Sequence, residues 1–172
     1  MRLPLLRRDP ETRALRALAQ ALRRLPAKHR PDDALQIVAD LARRLTAARY
    51  CALSVTDEYD LTVGFVTSGL SDRDLRRLRT PPQGHGPLGS LRADGRPVRY
   101  DDVGSQRRSF GFPPSHPEMK ALLGVPLWAG GDVRGSLYVT DRSGGGAFTD
   151  EDERALLTLA GHASKVIEQE WY

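Results

Sequence analysis

Leucine recurs every three or four residues in the first part of the chain, a spacing typical of an amphipathic helix. The segment 10–25, PETRALRALAQALRRL, follows that period and predicts a helix that buries one side. The leucines on the predicted buried side are Leu15, Leu18, Leu22 and Leu25.

A second helix is predicted after a break bracketed by prolines. Pro26 and Pro31 flank the break, and Asp32 or Asp33 is expected to cap a helix that runs to about Ala47. Two helices joined in this way are expected to form an entry segment that precedes the domain, or to form a dimer contact.

From residue 49 the apolar period changes to two, which is the period of a β-strand. The stretch YCALSVTDEYDLTVGFVTSG predicts two strands joined by a turn near Asp57 to Asp60, which is an antiparallel hairpin. The stretch ALLGVPLWAGGDVRGSLYVTDR predicts a second hairpin, which turns at Gly130, Gly131 and Asp132.

The remaining segments connect and close these hairpins. A short charged helix is predicted over 71–79, a short helix around 88–93, and a short strand that ends at Asp101. Thr149 is expected to cap a long final helix with four acidic residues in its first turn. The whole pattern predicts an α+β fold with one antiparallel sheet and a long irregular excursion between its third and fourth strands.

The composition fits one soluble domain, with 40% apolar and 28% charged residues in 172. No apolar run approaches the roughly 20 residues that span a bilayer, and the first residues lack a secretory signal, so we expect a cytoplasmic protein. Cys51 is the only cysteine, which excludes an internal disulfide and a cysteine zinc cluster. Its neighbours Tyr50, Ala52 and Leu53 indicate a buried strand thiol.

The positive charge of the chain is concentrated at its start. Residues 1–30 carry nine Arg or Lys and two acidic residues, whereas residues 31–172 carry 17 basic and 20 acidic residues. We therefore divide the chain into a basic, amphipathic helical arm over 1–30 and a domain over 31–172. The arm has no interleaved aromatic residues and is too short for a helix-turn-helix, which argues against nucleic-acid binding.

The blocks GPLGSLRADGRPVRYDDV, GFPPSHPEMKALLGVPL and GSLYVTD, followed by FTDEDE and the final helix, resemble a GAF domain over about residues 32–170. Residues 86–141 closely resemble the haem-binding GAF domains of actinobacterial oxygen and redox sensor histidine kinases. The resemblance implies helices on one face of the sheet and a ligand cavity of loops and short helices on the other face.

In that subfamily the histidine of an FPPxHPxM segment is the proximal haem ligand, which implies that His116 binds the iron of haem b here. The tyrosine of the LYLTD strand stands on the distal side near bound gas, which implies the same position for Tyr138. Apolar walls against the porphyrin are expected from Leu88, Leu91, Phe110, Phe112 and Met119.

The residues around His116 support two interpretations. The backbone around His116 is restricted by Pro113, Pro114 and Pro117. This restriction limits the directions of the His116 imidazole before a ligand binds, as an axial ligand requires. Alternatively, Ser115 or His116 only caps a short helix that begins at Pro117.

The strand VRGSLYVT gives Tyr138 a predicted face. Alternate residues point to opposite faces of a sheet, so Leu137 and Val139 are expected to pack on the helices and Tyr138 to face the cavity. The first face also takes Val133 and Gly135, and the second takes Arg134, Ser136 and Thr140. A tyrosine that merely lies under the covering loop is the alternative interpretation.

These observations predict a single-domain sensory GAF protein that binds haem b, senses a diatomic gas or a redox state, and signals through a separate histidine kinase or regulator, since no kinase domain follows. One alternative is a ligand-free interaction module that forms a homodimer through its first and last helices. Another is a GAF sensor of a different small-molecule ligand. Catalysis is not expected, because no catalytic triad order is present and GAF-type sulfoxide reductases need more than one cysteine.

Overall fold

The computed structural model describes residues 9–77, 94–104 and 118–172. These residues form four α-helices and five β-strands, numbered here in chain order. They are α1 (Pro10–Leu22), α2 (Pro31–Leu45), β1 (Ala48–Thr56), β2 (Thr62–Ser68), α3 (Asp72–Arg77), β3 (Val98–Tyr100), β4 (Leu122–Ala129), β5 (Asp132–Arg142) and α4 (Asp150–Trp171).

The five strands form one antiparallel sheet in the order β2, β1, β5, β4, β3. Both predicted hairpins are present, as β1 with β2 and β4 with β5. The two hairpins join through β1 and β5, where Leu53 lies opposite Leu137. The predicted α+β fold with a single sheet is confirmed.

Helices α2 and α4 pack on one face of this sheet, α1 packs against both of these helices, and together they bury the main core. Apolar residues at alternate strand positions meet one side of each helix there, and burying each large side chain stabilises the fold by roughly 1.5 to 3 kcal/mol. The fully buried members include Leu35, Val38, Leu53, Val125, Leu137, Val139, Leu156, Leu159 and Ile167.

The buried side of α1 agrees with the predicted one at Leu18 and Leu22 but not at Leu15. Pro10, Ala14 and Leu18, which lie four residues apart, face the core, whereas Leu15 is 56% exposed. Leu15 lies one residue beyond Ala14, and this step of about 100° turns its side chain to the surface. Ala14 and Leu18 join the same core as α2 and α4, while the division at residue 30 stays a prediction.

Capping residues begin the helices, with one difference from prediction. Thr149 caps α4 as expected, because its hydroxyl accepts the N–H of Asp152 and its own N–H donates to the Asp152 carboxylate at 2.8 Å. In α2 neither predicted aspartate is the cap, since the helix already begins at Pro31. Asp33 instead accepts the N–H of Arg30 at 2.9 Å.

Candidate functional site

Tyr138 lies on the sheet face opposite the helices, as the alternation along β5 predicts. Its neighbours Leu137 and Val139 belong to the helix-packed core, whereas Tyr138 belongs to a separate buried cluster. The side chain of Tyr138 is 3% exposed, and this burial raises the pKa of its phenol above the usual range. The phenol therefore keeps its proton at any physiological pH.

The buried cluster around Tyr138, named here the second-face cluster, combines strand and loop residues. Its members are Ala52, Val103, Met119, Leu122 and Tyr138, with Phe65, Val98 and Tyr100 packed against it. Two of the predicted site residues, Met119 and Tyr138, are thus brought together. The other predicted site residues, His116, Phe110, Phe112, Leu88 and Leu91, lie outside the described residues.

Hydroxyl groups follow one another along the same face of β5. Ser136, Tyr138 and Thr140 occupy alternate positions, and the Ser136 hydroxyl lies 3.0 Å from that of Ser54 on β1. Thr140 is 1% exposed, and its Oγ1 has no hydrogen-bond partner among the residues that the structure describes. Sequence reasoning placed Thr140 on this face without giving it a role.

Arg134 does not follow the alternation that places it beside Ser136. The pairing of β4 with β5 shifts here, since Leu127 lies opposite Gly135 and Trp128 lies opposite Val133. This bulge leaves Arg134 without a cross-strand partner and frees its side chain to turn. Its guanidinium lies 5.1 Å from the ring centre of Tyr172, after the end of α4.

A cleft of about 1190 Å³ opens at the end of the sheet where β5 ends and β4 begins. Met119 lines this cleft and also belongs to the second-face cluster, so the two regions adjoin, although Tyr138 itself does not line the cleft. Charged side chains of both signs are present in the lining. The lining consists of Arg49, Asp101, Asp102, Gly104, Glu118, Met119, Lys120, Ala121, Asp141, Arg142, Ser143, Gly144, Gly145, Gly146 and Ala147.

Asp141 holds the start of β4 at the edge of this cleft. Its carboxylate accepts the backbone N–H groups of Lys120 at 2.7 Å and Ala121 at 3.0 Å. Its backbone has a φ of 55°, a left-handed conformation that aspartate tolerates better than most residues. An aspartate at the end of a strand, before a run of glycines, is the signal that could have identified this anchor.

Cys51 is a buried strand thiol, as the sequence indicated. It is 2% exposed within the helix-packed core, and burial raises its pKa well above the usual range for a thiol. Within residues 9–77, 94–104 and 118–172, no three His, Cys, Asp or Glu side chains group as metal ligands. Within the same ranges, no helix has the length and apolar content needed to cross a membrane.

A family model of the GAF domain matches residues 28–168, which is most of the chain.

Solved structures share the fold over nearly all of its length. The GAF domain of a phosphoenolpyruvate-protein phosphotransferase from Coxiella burnetii is 23% identical, with a TM-score of 0.72 over 92% of this chain and 95% of that one. The free methionine-R-sulfoxide reductase from Neisseria meningitidis, in complex with its substrate, is 22% identical, with a TM-score of 0.60 over 94% and 89%. A far-red-absorbing protein with bound biliverdin IXa is 14% identical, with a TM-score of 0.62 over 95% and 99%.

Proposed function

Since the chain belongs to the GAF domain family, we propose that it is a sensory module that binds haem b through His116. In this proposal the module reports a diatomic gas or a redox state to a separate partner, such as a histidine kinase or another regulator.

The observation that carries the proposal is the joint burial of Tyr138 and Met119 on the face that α1, α2 and α4 leave free. Met119 follows His116 by three residues, and three residues span at most about 11 Å. The chain connection therefore keeps the segment that carries His116 close to the face that carries Tyr138.

The described side chains on this face are of the types that line a porphyrin site. The second-face cluster offers mainly aliphatic surface from Ala52, Val103 and Leu122, and Tyr138 contributes a buried phenol. A haem pocket combines such apolar walls with few polar groups, and distal donors decide which small ligand is favoured. Tyr138 and Met119 are 3% and 5% exposed. A haem in contact with these two side chains must therefore displace the atoms that shield them from water.

The residues have distinct roles in the proposal. Haem, when bound, supplies an iron that takes a diatomic ligand or changes its oxidation state. His116 holds the cofactor by one imidazole nitrogen, and a carbonyl or carboxylate fixes the ring through the other nitrogen. Tyr138 keeps a proton on its phenol, because burial raises its pKa, and so provides a hydrogen-bond donor on the distal side.

A likeness in fold supports a ligand of this size. The biliverdin-bound structure holds a linear tetrapyrrole on a fold that matches 95% of this chain. At 14% identity this likeness concerns the fold alone, so the choice of haem rests on His116 and Tyr138.

The experiment is an absorption titration of the purified protein with haemin. We expect a sharp Soret band for the wild type, a strongly weakened band for His116→Ala, and an unchanged band for the control His29→Ala, whose side chain is exposed. An unchanged spectrum in His116→Ala would refute the ligand assignment. Tyr138→Phe should keep haem uptake and speed oxygen loss or autoxidation, and equal rates would remove the distal role of Tyr138.

A second candidate function is dimerisation through the first and last helices. The sequence suggests this contact for a set of apolar residues on the two helices, which are Leu15, Leu18, Leu22, Leu25, Leu156, Leu157, Leu159, Val166 and Ile167. Of these, Leu18, Leu156, Leu159 and Ile167 are buried in the core of the protomer. Leu15 on α1 and Leu157 on α4 are instead the exposed leucines of these helices, at 56% and 40%. The dimer hypothesis therefore depends on these two exposed side chains.

A further inference from the structure

Thr140 has a buried hydroxyl for which the described part of the chain supplies no hydrogen bond. The residue is 1% exposed, and Oγ1 has no partner there. Leaving a buried hydroxyl unpaired destabilises a protein, whereas valine has almost the same shape and carries no such cost. An ordered water or a bound ligand is the kind of partner that satisfies such a hydroxyl in folded proteins.

The position of Thr140 shows where that partner lies. Thr140 is two residues beyond Tyr138 on β5, so both side chains are on the same face. Its cross-strand neighbour Leu122 belongs to the second-face cluster, and the next residue, Asp141, lines the cleft. Thr140 therefore lies between the buried phenol and the open cleft.

We propose that the Thr140 hydroxyl donates a hydrogen bond to a carboxylate or carbonyl oxygen at the edge of the ligand, whose apolar body lies against Tyr138 and Met119. This assignment rests on the proposed function. It orients the bound ligand with its polar edge toward the cleft. Exposed cations, Arg49 and Lys120, line the cleft and complement a carboxylate. Among the residues that the structure describes, the cleft lining as a whole has four carboxylates, of Asp101, Asp102, Glu118 and Asp141, against three cations, since Arg142 joins the two above. The acceptor is therefore selected by the hydroxyl rather than by the net charge of the cleft.

The first test compares two iron porphyrins in titrations of the full chain. Haemin carries two carboxylates at its edge, whereas etiohaemin carries only alkyl groups there. Thr140→Val should weaken haemin binding about 10- to 100-fold, as expected for a lost hydrogen bond to a charged group, while Thr140→Ser should stay within about threefold of the wild type. The same Thr140→Val variant should bind etiohaemin as well as the wild type does.

The second test uses the protein without ligand. Because Thr140→Val removes an unpaired buried hydroxyl, it should raise the melting temperature by about 2 to 4 °C while weakening haemin binding. A lower melting temperature would overturn the inference, since the hydroxyl would then have a partner in the protein.

The remaining outcomes separate a failure of the Thr140 contact from a failure of the proposed function. Unchanged haemin affinity in Thr140→Val would exclude the contact, and an equal loss for both porphyrins would assign Thr140 a packing role only. A wild type that binds neither porphyrin would refute the proposed function itself. The melting temperature of Thr140→Val without ligand would then still decide whether the hydroxyl lacks a protein partner.

Discussion

The carboxylate of Asp141, at the end of β5, accepts the backbone N–H of Lys120 at 2.7 Å. The same oxygen accepts the N–H of Ala121, and the N–H of Asp141 donates to the carbonyl of Ala121 at 3.0 Å. These three hydrogen bonds hold the backbone of Lys120 and Ala121, which lie between the segment containing His116 and the start of β4. Asp141 thus anchors the residues that directly follow the segment on which the haem proposal depends.

Replacing Asp141 with alanine should remove both hydrogen bonds to the carboxylate and lower the free energy of unfolding by about 2 to 4 kcal/mol. Alanine also tolerates the left-handed backbone at this position poorly. Asp141→Asn is the matched control, because asparagine accepts this conformation and keeps one acceptor oxygen, so it should lose less. Urea denaturation of the three proteins measures the difference, and an alanine variant as stable as the wild type would contradict the anchoring role.

The side chain of Tyr172 is hydrogen-bonded to the end of β1. The Tyr172 hydroxyl donates to the carbonyl of Thr56 at 2.6 Å, and the guanidinium of Arg134 lies over the Tyr172 ring. Tyr172→Phe should therefore lower the free energy of unfolding by about 0.5 to 1.5 kcal/mol, while Tyr172→Ala should lose more because the cation–π contact goes too. Tyr59→Phe, at a 76% exposed turn residue, should leave thermal stability unchanged, and an equal effect of both phenylalanine variants would contradict this bond.

His162 on α4 should make stability depend on pH. Burial, and then the charge of Lys165, lower the pKa of its imidazole in the folded protein below the unfolded value of about 6.5. The unfolded chain therefore takes up the proton first, and a destabilising contribution, absent above about pH 6.5, grows as the pH falls toward the folded pKa.

The measurement is denaturant unfolding of wild type and His162→Gln between pH 8 and pH 5. The wild type should lose more stability than the variant as the pH falls below about 6.5. His29→Gln, the same substitution at an exposed histidine, is the matched control for the loss of an imidazole. Parallel curves for wild type and His162→Gln would contradict the prediction.

Exposed leucines on α1 and α4 provide a direct test of dimerisation. If Leu15 and Leu157 form a dimer contact, then Leu15→Glu and Leu157→Glu should each shift the sedimentation coefficient from dimer to monomer, because a charge opposes burial of that surface. Leu61→Glu changes a 64% exposed leucine on the β1–β2 turn and serves as the control. A monomeric wild type, or a dimer that survives both substitutions, would remove this second candidate function.

Much of the fold follows from local patterns in the sequence. The period of two predicted both hairpins, and the Thr149 cap with its acidic first turn predicted the start of α4, because such signals act between residues close in the chain. The alternation on β5 also separated Leu137 from Tyr138 correctly. It failed at Arg134, where a bulge set by the pairing of β4 with β5 breaks the period.

The candidate site could be predicted only in part. Tyr138 was found because its face depends on strand alternation, and Met119 because it belongs to a recognisable motif. Asp141 was missed as an anchor because its role depends on backbone groups 20 and 21 residues away in the chain. The cleft was missed for the same reason, since its lining combines the start of β1, the end of β5 and the entry to β4.

By itself the sequence determined the α+β fold with its two hairpins, the capped final helix and the face of Tyr138, since periodicity, caps and turns are local properties of the chain. Only the tertiary structure decided which side of α1 is buried, where Arg134 points and that Thr140 lacks a partner among the described residues. Each of these depends on neighbours that packing brings together from distant parts of the chain, and burial turns a missing hydrogen bond into a free-energy cost.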